Sequence, residues 1–463
     1  MGIGGDRFVV EVIEKATVGA EEPWNDHWLP FTNFDLIVPP IDVGSTFFYK
    51  KPSHEGFSFP TIVKNLKASL SQALSLFPPM GGKIAWNEAA GEFQIHCNNQ
   101  GVDFVEAAAD VELKELNLYN PVESVEGKLM PKKLLRGVLA IQVTKLKCEG
   151  IVIGIMVDHR IVDGYSANMF ISSWADMTRS KTPSIIPSFA RSNLKPRFPT
   201  VYSSLIDNVF APFIPPPNPD SDINEEENEY TLVNRIYYIK GEHLRKIQLS
   251  ASESGCRTSK LVAFTAFLWK EVGLSMEESG KYNEICNAVV VVDGRRRLSE
   301  GDEEKKGKLM ASHFGNVLSL PYGSKKSQEL KEMSLSDLAI EVQEFLQPAT
   351  TKEHFLDILD WVEDQKPQPL ISKAFVGGDM SFSVSSGQRF ETMDEIDFGW
   401  GKLTFGSCYV PSERKDCFVM TMGSPMNNED WVVYMHLPKK HVNYVETHAS
   451  HIMKPLNADY LNI

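Results

Sequence analysis

One short stretch of the chain holds the residues best suited to acid–base chemistry. In VDHRIVDGYSANMF, residues 157–170, His159 follows a strongly apolar run, and Asp163 stands directly before Gly164. A neutral imidazole can take a proton from a hydroxyl near neutral pH, and a nearby carboxylate can hold the loop or the ring in place. Taken alone, the H-x-x-x-D spacing favours a plainer interpretation, a loop histidine followed by Asp163 as the cap of a helix.

Other common catalytic patterns are missing from the sequence. It contains no G-x-S-x-G serine motif, no H-E-x-x-H metal motif, no G-x-x-x-x-G-K-[ST] phosphate loop and no G-x-G-x-x-G after a strand. A metal at His159 and Asp163 would need further ligands that the local sequence does not supply, so no metal is expected. A serine hydrolase, a metalloenzyme and a nucleotide-binding enzyme are therefore disfavoured.

A second unusual stretch is DFGWG, from Asp397 to Gly401, where two glycines flank Trp400. It follows SFSVSSGQRF, whose alternation predicts a strand. Glycine permits backbone conformations and close packing that other residues resist. The residues alone predict a tight turn around a buried tryptophan, with at most an indirect role in catalysis.

The apolar pattern predicts a mixed α/β (α+β) protein. A buried strand is predicted at Ile151–Val157, because this run is too short for a typical helix and rich in β-branched residues. A helix is predicted across VKNLKASLSQALSLF, whose apolar residues recur at helical spacing until two prolines end it. A charged loop is expected around 301–308, a helix over 258–272 and another after residue 437. The other predicted strands and extended runs are Phe8–Ile13, Phe34–Val38, Thr46–Lys50, Lys83–Trp86, Glu92–His96, Leu139–Lys145, Ala288–Asp293 and Trp431–Leu437.

A change of composition divides the chain into two similar halves. Between about Arg197 and Tyr230 lie the proline-rich IPPPNPDSD and the acidic block EEENE. A chain of 463 residues also exceeds what one hydrophobic core usually supports. We predict an N-terminal domain of residues 1–200, a linker of residues 201–229 and a C-terminal domain of residues 230–463.

The charge and cysteine pattern limits the expected partners and location. A formal net charge of −14, without a long Lys/Arg stripe, disfavours nucleic acid and anionic membranes. The sequence shows no signal segment, no apolar run of membrane-spanning length and no N-x-[ST] site, and its six cysteines include no CxxC pair. We expect a cytoplasmic protein with reduced thiols and no membrane association.

HRIVDG and DFGWG, in this order, together resemble the plant BAHD family of coenzyme A-dependent acyltransferases. Further pieces that resemble the family run from about Phe31 to Leu437: FTNFDLIVPP, LKASLSQALSLFPPMGGKI, HCNNQGVDFVEA, VVVVDGRRRL and HFGN at His313–Asn316. The segment FTNFDLIVPPIDVGSTFFYKKP is nearer to members that acylate monolignol-type or other aromatic alcohols than to shikimate and quinate hydroxycinnamoyltransferases.

The resemblance implies a fold and an activity. The fold would be two similar-sized chloramphenicol-acetyltransferase-like domains, each a mixed sheet flanked by helices, with a solvent tunnel between them. The activity would be direct transfer of an acetyl, aliphatic or aromatic acyl group from a coenzyme A thioester to a hydroxyl or amine of a plant specialised metabolite. His159 would be the general base. Acyl-CoA would be a co-substrate, with no permanently bound cofactor, and the protein would be a monomer.

The resemblance also implies roles for other residues. Asp163 would be structural, paired with Arg295 or Arg297. DFGWG, with Asp397 and Trp400, would shape the coenzyme side.

The segment SGCRTSKLVAFTAFLWK resembles the helix region whose start lies near the coenzyme phosphates in members of the family. The resemblance implies that Arg257, Thr258, Ser259 and Lys260 supply a local basic, hydrogen-bonding site there. An ordinary capped surface helix is an equal alternative for each of these residues.

The sequence departs from the family pattern before DFGWG. Many members carry a tryptophan after a Ser/Thr pair in that strand, and in some it stabilises the tetrahedral oxyanion. This chain has Gly387 there, which leaves Ser385 and Ser386 as candidate donors.

Two alternatives to a BAHD enzyme stay open from the residues. One is a BAHD-like protein that binds a ligand or a partner protein without turnover. The other is the group of chloramphenicol acetyltransferases and dihydrolipoyl transacetylases, which share H-x-x-x-D-G but build trimeric active sites from one domain. The two halves and DFGWG disfavour this second alternative.

Overall fold

The computed structural model describes residues 8–52, 56–131, 134, 136–213, 231–302, 304–376, 378–388, 396–412 and 414–463. Residues 214–229 of the predicted linker lie outside the described residues.

The strands of these ranges are β1 (Val10–Val18), β2 (His27–Pro30), β3 (Asp42–Tyr49), β4 (Lys83–Asn87), β5 (Glu92–Cys97), β6 (Val102–Ala109), β7 (Leu139–Leu146), β8 (Ile151–Asp158), β9 (Phe210–Pro212), β10 (Leu232–Ile239), β11 (Ile285–Val290), β12 (Val292–Asp293), β13 (Leu318–Ser319), β14 (Tyr322–Lys326), β15 (Leu370–Ser372), β16 (Met380–Ser386), β17 (Phe405–Tyr409), β18 (Cys417–Gly423), β19 (Trp431–Pro438) and β20 (Lys454–Pro455). The α-helices are α1 (Phe59–Leu76), α2 (Pro121–Ser124), α3 (Gly164–Thr178), α4 (Gly241–Ser250), α5 (Lys260–Glu278), α6 (Arg295–Leu298), α7 (Lys305–Ser312), α8 (Ser327–Glu332), α9 (Leu335–Leu346), α10 (Lys352–Gln365) and α11 (Lys439–His448).

Two large sheets organise the molecule. The first has the order β1-β6-β7-β8-β3-β17 and the second the order β14-β11-β16-β18-β19-β10-β20. Each is mixed, because β6 and β7 run parallel in the first sheet, β16 runs parallel to β11 and β18 in the second, and other neighbours pair antiparallel. The predicted mixed fold is confirmed.

Helices cover both sheets along apolar faces. In α1, Ser58 caps the first turn by accepting from Thr61 N, and the buried face includes Leu66, Leu70 and Leu74, which pack in one core with β8 and α3. The long helix α5 is buried along most of its length in the core of the second sheet. The predicted helices over VKNLKASLSQALSLF and residues 258–272 are α1 and α5.

One strand crosses between the halves. β17, from the C-terminal half, pairs antiparallel with β3 at the edge of the first sheet, with Phe405 opposite Phe48 and Tyr409 opposite Gly44. The other strands of the first sheet precede residue 200. The predicted domain boundaries therefore omit this exchange, and their exact positions stay predictions.

Two local predictions were wrong. Residues 34–38 form turns and not an extended run, because the Asp35 carboxylate accepts from both the N–H and the hydroxyl of Thr32 and thereby stabilises a turn. The charged segment 301–308 includes the start of α7, whose N-terminus follows acidic residues that favour a helix start.

Among the helices of the described ranges, none combines the length and the apolar character needed to cross a lipid bilayer.

Candidate active site

His159 stands at the end of the most buried strand of the first sheet. All eight residues of β8 are buried, and this strand lies between β7 and β3. His159 N donates to Ile41 O at 2.9 Å, which continues the β3–β8 pairing by one residue. The strand therefore delivers the imidazole to a fixed place at its carboxyl end.

A cavity of about 1570 Å³ opens beside His159. Its wall includes Val43 and Ile155 from the first sheet and Ser383 and Met420 from the second, so it lies between the two sheets. Many of its lining side chains are apolar. The volume exceeds the roughly 300–1,000 Å³ of common ligand pockets, which leaves room for two substrates at once.

Among the described residues, the His159 ring has no carboxylate partner of the kind that orients many catalytic histidines. Its Nδ1 is buried without a hydrogen-bond partner among the described residues. The main-chain oxygen of His159 instead accepts from Asn316 Nδ2 at 3.0 Å. The orientation of the imidazole therefore depends on how its backbone is held.

Asp163 turns away from His159 into a buried ion pair. Arg295 donates to both carboxylate oxygens, at 2.7 and 3.1 Å, and both side chains are almost fully buried. Asp163 also caps α3 by accepting from Ser166 N, and it accepts from Val317 N. The helix-cap interpretation and the ion-pair expectation thus describe the same carboxylate.

Burial and charge act in opposite directions on the pKa of Asp163. Burial alone would raise this pKa, but the Arg295 guanidinium and the two backbone N–H donors hold it below its ordinary value. Asp163 is therefore a carboxylate at neutral pH, and it serves as an acceptor and not as a proton donor.

Of the two arginines predicted as partners of Asp163, Arg295 is the one that binds it. Arg297 instead pairs with Glu300, two residues beyond the end of α6, at 2.9 Å. The planar guanidinium of Arg295 also donates to Gly315 O and to the Ser166 hydroxyl, so it joins the HRIVDG and HFGN segments.

DFGWG forms a tight turn at the edge of the hydrophobic core that α1 and α3 share with the first sheet. Asp397 accepts from Gly399 N at 2.7 Å and Gly401 N at 3.3 Å, and both glycines have positive φ, 105° and 140°. Trp400 is buried against Tyr49, with ring centroids 5.8 Å apart. Neither Asp397 nor Trp400 lines the cavity. The turn positions the start of β17, and direct contact of these two residues with coenzyme A stays a prediction.

Ser385 and Ser386, at the end of β16, both line the cavity. The Ser386 hydroxyl accepts from Gln388 N at 3.3 Å. Among the described residues, the Ser385 hydroxyl has no hydrogen-bond partner, whereas its carbonyl accepts from Thr421 Oγ1. Because accepting a hydrogen bond leaves the hydroxyl hydrogen of Ser386 free, both serines have an O–H donor available to a ligand.

The predicted phosphate-binding residues lie outside the cavity wall. Ser259 caps α5 by accepting from Val262 N at 3.2 Å, as an ordinary helix cap does. Thr258 is buried, and its hydroxyl donates to backbone carbonyls. Within the described part of the chain, the Arg257 and Lys260 side chains have no ion-pair or hydrogen-bond partner, so both cations are available to a ligand.

Sequence reasoning missed two residues that lie close to His159. The buried Asp35 and Asn316 bind each other, and Asn316 binds the backbone of His159. The only signals were the FTNFDLIVPP and HFGN motifs, which contributed to the resemblance without a role for Asp35 or Asn316. Three or more residues suited to a metal site do not cluster anywhere in the described ranges.

Residues 8–452 match the model of a family described as the Transferase family. A hydroxycinnamoyltransferase of Narcissus pseudonarcissus is 27% identical over 416 residues, 86% of this chain and 90% of that protein. An Avena sativa hydroxycinnamoyl-CoA:5-hydroxyanthranilate N-hydroxycinnamoyltransferase is 29% identical over 394 residues, covering 81% and 84% of the two chains. A shikimate O-hydroxycinnamoyltransferase of Nicotiana tabacum is 25% identical over 461 residues, covering 94% and 98%. The expected nearness to monolignol-type members stays a prediction.

Two solved structures show the same fold at low sequence identity. Vinorine synthase superposes with a TM-score of 0.70 at 19% identity, covering 96% of this chain and 99% of that one. An F. graminearum protein in complex with coenzyme A and T-2 mycotoxin superposes with a TM-score of 0.72 at 12% identity, covering 92% and 99%. With the family match over nearly the whole length, the chain belongs to the Transferase family, the BAHD acyltransferases that its motifs resemble.

Proposed function

We propose that His159 is the general base of this acyl-CoA-dependent acyltransferase. The imidazole would take the proton from the acceptor O–H or N–H while that atom attacks the thioester carbonyl. The C–S bond then breaks, and the imidazolium returns the proton to the departing coenzyme A thiolate. The protein is left unchanged, and no acyl–enzyme bond forms.

The observation that carries this proposal is the place of His159 on the wall of the cavity between the two sheets. Its carboxylate neighbour in the motif is bound to Arg295 and is not directed to the imidazole. A histidine without a relay carboxylate can still act as a base, since an imidazole is a suitable proton acceptor near neutral pH.

An aromatic acyl donor, a hydroxycinnamoyl or benzoyl coenzyme A, is our proposed substrate class. Relatives named for hydroxycinnamoyl and benzoyl transfer support this choice. The aromatic side chains on the cavity wall also support it, because they offer flat apolar contacts to an aromatic group: Phe31, Trp86, Phe93, Phe213 and Phe375. The proposed acceptor is a small alcohol or amine, and relatives are named for both O- and N-transfer.

We further propose that Arg257 and Lys260 bind coenzyme phosphates and that Ser385 donates a hydrogen bond to the oxyanion. Within the ranges that the structure describes, the Arg257 and Lys260 side chains and the Ser385 hydroxyl have no hydrogen-bond or ion-pair partner, which supports these roles. We also propose that the protein is a monomer in the cytoplasm. Its negative net charge and its unpaired cysteines support this proposal.

The test is an acyl-transfer assay with purified protein. Acetyl, aliphatic, benzoyl and hydroxycinnamoyl coenzyme A would be combined with aromatic alcohols and amines, and free thiol and product mass would be followed together. We expect thiol release that depends on the acceptor and that falls about 10²- to 10⁴-fold in His159→Ala.

Two outcomes would contradict the proposal. A folded His159→Ala protein with unchanged transfer would rule out this residue as the base. Tight binding of both substrates by the wild-type protein with no thiol release would instead support the non-catalytic binding protein.

A further inference from the structure

The HFGN segment, residues 313–316, touches the catalytic loop from the opposite half of the chain. Gly315 O accepts from Ser166 Oγ at 2.9 Å and from Arg295 at 2.8 Å, and Gly315 N donates to Ser166 Oγ at 3.1 Å. The next residue, Val317, donates its N–H to Asp163. These bonds fix the Asp163 end of the HRIVDG loop.

Asn316 holds the other end of that loop. Its Nδ2 lies 3.0 Å from His159 O, 3.1 Å from Arg160 O and 3.0 Å from Asp35 Oδ1. All three neighbours are oxygens that can only accept, whereas Asn316 Oδ1 has no hydrogen-bond partner among the described residues. A flipped amide would put Oδ1 against three acceptors, so the contacts define which end of the amide faces His159.

Asp35 fixes the amide of Asn316. Its buried carboxylate accepts from Thr32 N and Oγ1, both at 2.8 Å, and from Asn316 N at 2.9 Å. Arg191 Nη1 lies 3.8 Å from Asp35 Oδ2, the oxygen that also accepts from Thr32. Asp35 is therefore a rigid acceptor that leaves the second hydrogen of the Asn316 amide for the backbone carbonyls of His159 and Arg160.

We propose that Asn316, oriented by Asp35, is the positioning residue that sets the direction of the His159 imidazole through its main chain. This inference rests on the proposed role of His159 as base. No described side chain binds His159 Nδ1, so the hydrogen bonds that anchor this residue are those of its main chain, from His159 N to Ile41 O and from Asn316 to His159 O. A misplacement of about 1 Å in a catalytic group can reduce turnover by about 100-fold.

The experiment compares Asn316→Ala with Asn287→Ala. Asn287 is a matched control, because its buried amide also donates two hydrogen bonds, to Ala374 O and Ser381 Oγ, away from His159. We expect Asn316→Ala to lower kcat about 10- to 100-fold per folded molecule, with the KM for acyl-CoA changed less than about threefold. Asn287→Ala should lower the melting temperature and leave kcat within about twofold of wild type.

Unchanged kcat in folded Asn316→Ala would overturn the inference, and so would an equal loss of kcat in the Asn287→Ala control. Including His159→Ala in the comparison distinguishes failure of the general-base proposal from failure of the positioning role. If His159→Ala stays active, the general-base proposal itself fails. If His159→Ala is inactive and Asn316→Ala is fully active, only the positioning role fails.

If Asn316→Ala does not fold, the isosteric Asn316→Asp variant gives a second test. An ionised Asp there would oppose Asp35 and the two carbonyls, whereas a protonated Asp could donate one hydrogen bond in place of the amide. We therefore expect the ratio of its kcat to that of wild type to rise as pH is lowered from 8 to 6. A kcat equal to that of wild type at every pH from 6 to 8 would overturn the inference.

Discussion

The guanidinium of Arg295 donates to both carboxylate oxygens of Asp163, although the two residues lie on opposite sides of the proline-rich segment in the sequence. Both side chains are buried, with exposed fractions of 6% and 1%. The pair therefore joins the loop that carries His159 to the C-terminal half. Its loss would affect both folding and the position of the base.

Removal of Arg295 should destabilise the protein more than removal of Arg297. Arg295→Ala leaves the buried Asp163 carboxylate without its charged partner, which typically costs about 3–5 kcal/mol. Arg297 forms a partly exposed pair with Glu300, so Arg297→Ala should change stability by less than about 1 kcal/mol. Thermal unfolding of the two variants measures this, and equal melting temperatures would contradict it. Arg295→Lys should not restore the wild-type value, because an ammonium cannot form the bidentate contact.

Ser385→Ala should reduce turnover without weakening substrate binding. Loss of one donor to a developing oxyanion typically lowers kcat about 10²- to 10³-fold. Ser386→Ala is the matched neighbour, since its hydroxyl also lines the cavity and can still donate while it accepts from Gln388 N. If Ser385 is the donor, Ser386→Ala should have the smaller effect, and a larger loss of kcat in Ser386→Ala would assign the role to Ser386. Steady-state kinetics at saturating acyl-CoA distinguish the two variants. A rise in the KM for the acceptor with unchanged kcat would assign Ser385 to substrate binding instead.

Arg257→Ala and Lys260→Ala should raise the KM for acyl-CoA while kcat stays near the wild-type value. Loss of a cation that binds a phosphate removes binding shared by the ground state and the transition state. A matched control is Lys246→Ala, an exposed lysine on α4. The KM differences should shrink as salt is raised, because exposed charges are screened. If all three variants show the same KM, the start of α5 is not a coenzyme site.

Stability should fall on acidification below about pH 6.5. Burial lowers the pKa of His313 to about 3, of His354 to about 4 and of His441 to about 3. Each contributes stability that is complete above its unfolded pKa near 6.5 and is lost as pH falls toward the folded value, at about 1.4 kcal/mol per pH unit. The melting temperature should therefore drop between pH 7.5 and 5.

A variant pair checks the origin of that drop. His313→Gln should show a shallower decrease of melting temperature than wild type, because one titrating group is gone. His451→Gln changes an exposed histidine and should keep the wild-type slope. Identical slopes in all three proteins would show that His313 does not titrate on unfolding.

The strands and helices nearest the site could be predicted because their patterns are local. The β-branched run Ile151–Val157 is β8 with one more residue, and the apolar spacing before the two prolines gives α1. The turn at Asp35 could not be predicted in this way, because its apolar neighbours resemble a strand and the deciding hydrogen bonds come from Thr32 and the distant Asn316. A buried polar residue gives no periodic signal, since its partners are set by tertiary structure.

The choice between Arg295 and Arg297 shows the same limit at the site. The three consecutive arginines of VVVVDGRRRL cannot be told apart in the sequence. Only the direction of the short helix α6 determines that Arg295 is buried and that the other two are not. The family resemblance limited the partner of Asp163 to Arg295 or Arg297. Only the three-dimensional arrangement of α6 against α3 shows that Arg295 is the partner.

The exchange of β17 has a consequence for synthesis of the chain. On the ribosome, β3 is made several hundred residues before β17, so the growing chain exposes an unpaired edge of the first sheet until the last part of translation. Exposed strand edges are templates for aggregation. The N-terminal half produced alone would keep that edge permanently open, which makes the two halves poor candidates for separate expression and dependent on each other for solubility.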